Sequence, residues 1–239
     1  MNSDVPRKYP GYGSGERTDY APYSAFDIPA DLRELHGRWD VEAVAQRVRN
    51  YRYAEEWSMR ILGGWVATIP ELPVKTGLGK IIWDCAQSAD ALGARLPELR
   101  FARRPQGVAL SANPDFAKLV EAIAEPEDPD LTIEKLAGIF DVLFPHLVEV
   151  YEHNIQHTDA IADAPSIELL ESIVGRHRRH LAWAEEVFDR LVDTTDERKR
   201  RDQRRQELGA KLQACGGVTG DWPLEPENTV EAVRKEKST

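Results

Sequence analysis

The stretch Phe144-Pro145-His146-Leu147-Val148-Glu149-Val150-Tyr151-Glu152-His153-Asn154-Ile155-Gln156-His157, followed by Gly175-Arg176-His177-Arg178-Arg179-His180-Leu181, decides the fold. Five of the chain's six histidines lie between Phe144 and Leu181. Ile139, Leu143, His146, Val150, His153 and His157 recur at helical spacing, as do Leu170, Ile173, His177, Leu181, Ala184 and Phe188. Two long helices follow, joined by a tight turn at Ala162–Ser166. Folding this hairpin about Asp163 sets residue 149 opposite 177 and residue 146 opposite 180. Imidazoles from both helices then meet where Leu and Ile normally sit. Such a cluster calls for a metal, acid–base chemistry or a buried polar network.

Upstream, Asp40 is a good N-cap for a first helix whose inward stripe is Val44, Val48, Tyr51, Glu55, Met59, Leu62 and Trp65. Glu55 is out of place on that stripe, and the helix is expected to end at Gly63-Gly64 or shortly after, before Ile69-Pro70. A second helix is expected from about Val74 to Arg100, with small residues Cys85, Ala86, Ser88, Ala89 and Gly93 at its middle. These permit close helix approach or leave a cavity. Asn113-Pro114-Asp115 starts a short helix, and Glu125–Asp130 reads as a rigid acidic linker. The third long helix covers about Leu131 to Ala162 and is expected to kink at Pro145. The fourth opens at Pro165-Ser166.

The flanks differ in character. Residues 1–38, rich in Tyr, Pro, Gly and Ser, favour an irregular arm; residues 39–192 hold the helical domain. Residues 193–239 form a highly charged helix, read as solvated with local ion pairs, and a loose tail. No strand signal or solenoid repeat is present. The whole chain is 239 residues, 41% hydrophobic and 30% charged, with net charge −10. That suits a globular protein and excludes nucleic acid as the main partner, since phosphates need a basic face. The first residues lack the apolar core of a secretory signal, and no run is long enough to span a membrane. Two cysteines, Cys85 and Cys215, make no disulfide framework, so a cytoplasmic location is expected.

Two helical hairpins carrying acidic and imidazole groups at mid-helix resemble the ferritin-like superfamily. More specifically, Met59-Arg60-Ile61-Leu62-Gly63-Gly64-Trp65, Ile69-Pro70-Glu71-Leu72-Pro73-Val74-Lys75 and Ile82-Trp83-Asp84-Cys85-Ala86-Gln87-Ser88-Ala89-Asp90-Ala91-Leu92 look like a group of bacterial ferritin-like proteins. So does Asp163-Ala164-Pro165-Ser166, and the likeness covers about residues 40–192. It implies an all-α, ferritin-like four-helix bundle. In that superfamily a carboxylate on one helix and Glu-x-x-His on the next, repeated in the second hairpin, hold two irons. Here Glu55 or Glu56 stands for the first carboxylate. The second helix offers Cys85-x-x-Ser88, or Asp84-x-x-Gln87 in a rotated register, and has lost its histidine. Glu149 or Glu152 stands on the third helix, and His177-x-x-His180 replaces Glu-x-x-His on the fourth. An ordinary di-iron carboxylate site is not expected from such a set.

Metal-dependent oxidation of a small molecule is what the resemblance implies, with an atypical histidine-rich iron site. Its ligands would come from Glu55, His146, Glu149, His153, His177 and His180. An alternative needs no cofactor: Glu55, His177, His180 and Glu149 transfer protons in a cyclisation, isomerisation or elimination. A second alternative is a non-catalytic bundle that pairs with another subunit or as a homodimer. The plainer reading of Glu55 is a structural pair with Arg52, His177 or His180. For Cys85 it is small core packing. Asp159 and Asp163 read as caps. Trp57, Trp65, Trp83 and Trp183 read as core packing, or as the lining of an aromatic pocket.

Overall fold

The computed structural model describes residues 37–101 and 108–223. The expected arm, apart from Gly37 and Arg38, and the end of the tail lie outside the described residues. Those described are all-helical, with no strand among them. Helix α1 (Val41–Thr68) is capped by Asp40, whose carboxylate accepts the Ala43 N–H. It passes through Gly63 and Gly64, which both face open space, and ends within the expected range, before Ile69-Pro70. A glycine in an exposed helix position costs only about 1 kcal/mol, too little to stop a helix that packing holds.

Helix α2 (Leu72–Arg95) returns along α1 and finishes in a 3₁₀ turn at Leu96–Leu99. Helix α3 (Pro114–Ala124) starts as expected, with the Asn113 side chain accepting from Asp115 and Phe116. The acidic linker then leads into one uninterrupted helical rod. It consists of α4 (Thr132–Leu136), a π-helical segment (Ala137–Leu143) and α5 (Phe144–His157). Pro145 shows its effect in the hydrogen bonding of the helix. It cannot donate to a carbonyl one turn back. The turn ahead of it widens to five-residue closure, with the Phe144 N–H donating to the Ile139 carbonyl.

The turn into α6 (Ala164–Leu191) occupies residues 158–163, earlier than expected. Asp159 builds it by accepting the Ile161 and Ala162 N–H groups, while Asp163 accepts the Thr158 hydroxyl. Centring the turn between Ala160 and Ile161 sets residue 144, and not 149, opposite 177. The inward stripe of α5 accordingly becomes Phe144, Leu147, Tyr151 and Asn154, all buried.

Helix α7 (Thr195–Ala214) starts in a capping box of Thr194 and Glu197. Local ion pairs occur, yet the helix is also tied to the core. Arg200 clasps Glu134, Arg201 clasps Asp141 with both bonds at 2.7 Å, and Leu208 is fully buried beside Gly138. Trp83, expected in the core, is 63% exposed on the outer side of α2. The α2 stripe runs Leu78, Ile81, Cys85 and Leu92, which puts position 83 on the opposite face.

Lys135 shows how the linker is fixed. Its side chain is fully buried, and its ammonium donates to the Glu127 and Asp128 carbonyls and to the Thr68 hydroxyl at 2.8–3.1 Å. Lys135→Met should keep the volume and leave those acceptors bare. Urea unfolding should show a loss of roughly 2–4 kcal/mol; an unchanged midpoint would remove Lys135 from the fold's support.

Candidate functional site

Between the two hairpins, α1 and α2 present carboxylates and α6 presents imidazoles. Glu55 of α1 is fully buried. Its Oε1 accepts the Tyr151 hydroxyl at 2.9 Å and the His177 Nε2–H at 2.7 Å. One turn along α6, His180 gives its Nε2–H to Asp84 Oδ2 of α2 at 3.0 Å. The two rings meet edge-on, with centroids 5.7 Å apart. The three-residue spacing keeps both on one face of α6.

Asp84 is joined by Lys80 at 3.3 Å. Burial pushes the Asp84 carboxyl up, but the His180 N–H and the Lys80 ammonium more than offset this and hold it below its usual range. Burial keeps His180 below the ordinary imidazole value despite Asp84 beside it. The outcome is a carboxylate bonded to a neutral ring. On each ring Nε2 is committed to a carboxylate, and Nδ1 has no hydrogen-bond partner among the described residues. The Cys85 thiol adjoins this group; burial and then the Glu55 and Asp84 charges push it well up, so it is no nucleophile. Burial and Glu55 likewise push the Tyr151 phenol well above its usual value.

Five of the residues singled out from sequence are buried, but they do not all meet: Glu55, His177 and His180 converge, while His146 and His153 sit elsewhere. His146 packs against Phe116 and Trp222, and its Nε2 accepts the Val218 N–H at 2.9 Å. His153 stacks on His157 at 4.0 Å and tilts against Trp39. Glu149, the remaining candidate, is exposed and accepts the Trp222 indole N–H. The cause is the turn position given above: with 144 opposite 177, α5 turns Phe144 and Tyr151 to the rings and carries His146, Glu149 and His153 away from them. Glu152 pairs with Arg178 at the surface, and Arg52 pairs with Glu56.

The donor chemistry of Glu55, Asp84, His177 and His180 would suit a divalent ion. Among the described residues no group of three such side chains is arranged to hold a metal. Nε2 of each ring and the facing carboxylate oxygen bond to one another, so an ion at this place would be held through the unpartnered Nδ1 atoms and Glu55 Oε2.

Tyr151 is the contributor that sequence reading missed. Its signal was available: Phe144, Leu147, Tyr151 and Asn154 have the same helical spacing as the histidine stripe beside them. Asp84 was visible only in the rotated register of α2. No family model, no curated protein and no solved structure matches this chain.

His146 gives a pH test. Burial lowers its pKa to about 4, below its unfolded value near 6.5. The unfolded chain therefore binds the extra proton first as pH falls. Stability is full above about pH 6.5 and is lost between there and about pH 4, by up to roughly 3 kcal/mol from this group. Urea titrations at pH 7 and 5 should show the loss, and His146→Gln, whose amide oxygen can still accept from Val218, should reduce it, leaving the share of His153, whose pKa burial also lowers to about 4, and of His180. An equal slope in the variant would assign the loss to other groups.

Proposed function

We propose that this chain is a small-molecule enzyme on a ferritin-like bundle, with a centre that performs acid–base chemistry without a metal. The observation that carries it is the pairing of His177 with Glu55 and of His180 with Asp84, each through Nε2, with both Nδ1 atoms unpartnered. A carboxylate on one ring nitrogen fixes the tautomer and leaves the other nitrogen's lone pair available. It also stabilises the imidazolium once a proton arrives. One ring can take a proton from a substrate while the other, after protonation, returns one elsewhere. This fits an isomerisation, a cyclisation or an elimination. Asp84 remains ionised and His180 neutral near neutral pH, the states such a base needs.

A second reading has its own support. Glu55 and Tyr151 are fully buried and His177 is 1% exposed, as in a polar network that only sets helix register. The two readings part in deuterated water. A mixture of cellular metabolites incubated with chelator-treated protein should gain deuterium at carbon in at least one compound, read by mass spectrometry. His177→Gln and His180→Gln should each reduce that labelling by about a hundredfold or more. No labelling beyond the buffer control would favour the structural network. Labelling that appears only on adding ferrous iron would return the function to metal-dependent oxidation.

A further inference from the structure

The cleft between the α1–α2 turn and the end of α6 has a volume of about 360 Å³ and is lined by Pro73, Val74, Trp183, Val187 and Leu191, with Glu71, Glu186 and Arg190 also on its walls. Its size falls within the range of small-molecule sites, and its walls are mainly apolar. Gly77 makes room for the Trp183 indole: a Cβ at position 77 would come within 2.4 Å of the ring. From the cleft a chain of aromatic rings runs inward. Trp183 touches Phe140 at 5.6 Å, Phe140 touches Phe144 at 5.3 Å, and Phe144 covers His177 at 4.2 Å and His180 at 5.9 Å. Phe140 lies in the π-helical segment and Phe144 directly follows it. Such segments recur at functional sites.

We infer that this cleft is the binding entrance for the substrate, an apolar, ring-bearing small molecule that stacks on Trp183 and reaches the histidines by displacing Phe140 and Phe144. This rests on the acid–base function proposed above. The substrate class follows from the walls. Burial of a flat apolar body against Trp183, Val187 and Leu191 supplies the binding. The charged groups lie with both signs present, and Glu71 is already engaged by the Thr132 hydroxyl at 3.0 Å, so no single charge is demanded of the ligand.

The probe is N-phenyl-1-naphthylamine, an uncharged two-part aromatic whose emission rises in apolar surroundings. Titrated into the full chain, it should bind saturably at one site. Val187→Asp puts a charge against the ring and Val187→Trp fills the volume; each should weaken binding by about tenfold or more, with unchanged circular dichroism. Saturating probe should also suppress deuterium labelling by the unmodified protein. Absence of saturable binding, or equal binding by both variants, would overturn the site. Full labelling at probe saturation would overturn its role as entrance. Saturable, variant-sensitive binding in a protein that labels nothing would overturn the acid–base function and the entrance together, and leave a ligand site alone.

Discussion

A carboxylate buried among apolar side chains must be compensated, and here the structure is organised around that requirement. Glu55 receives the Tyr151 phenol from α5 and the His177 ring from α6. One side chain thus joins three helices. An unmet buried carboxylate costs several kcal/mol, so any slip of α5 or α6 relative to α1 is resisted. The neighbouring Asp84–His180 bond adds α2 to the same lock, and the 0% exposure of Tyr51, bonded to Asn154 at 3.0 Å, closes the layer beside it.

The same bonds decide what chemistry is open to the interior. Because each Nε2 faces a carboxylate, the free lone pair on each ring is at Nδ1, which has no partner among the described residues. The thiol of Cys85 and the phenol of Tyr151 are held in their protonated forms by burial and by Glu55. Nucleophilic routes through either are therefore disfavoured, which supports the proposed proton transfer through the imidazoles. Phe144, set down by the widened turn ahead of Pro145, packs against both rings.

Much of this was legible in the residues. Glu55 on an apolar stripe and His177 with His180 three residues on were visible as a convergent group, and they do converge. The all-helical class and the caps at Asp40 and Asn113 followed from periodicity and local hydrogen-bond chemistry. What was not legible was the exact turn. Asp159 captures two backbone N–H groups and closes the chain at residues 158–163, earlier than Pro165 suggested. A displacement of a few residues there changes the face of α5, so His146 and His153 are buried away from Glu55 and Tyr151 reaches it. The charged run after Asp193 misled for a related reason. Its arginines have long stems and reach Glu134 and Asp141 on another helix, where only short-range pairs were expected.

The carboxylate pairing dictates which ring nitrogens of His177 and His180 carry hydrogen. Long-range ¹⁵N–¹H correlation spectra of histidine-labelled protein at neutral pH, assigned with His177→Gln and His180→Gln, test it directly. Both rings should show protonated Nε2 and an unprotonated Nδ1. Protons on Nδ1 with bare Nε2, or fast averaging of the two tautomers as in a ring free in water, would contradict the carboxylate pairing on which the proposed chemistry stands.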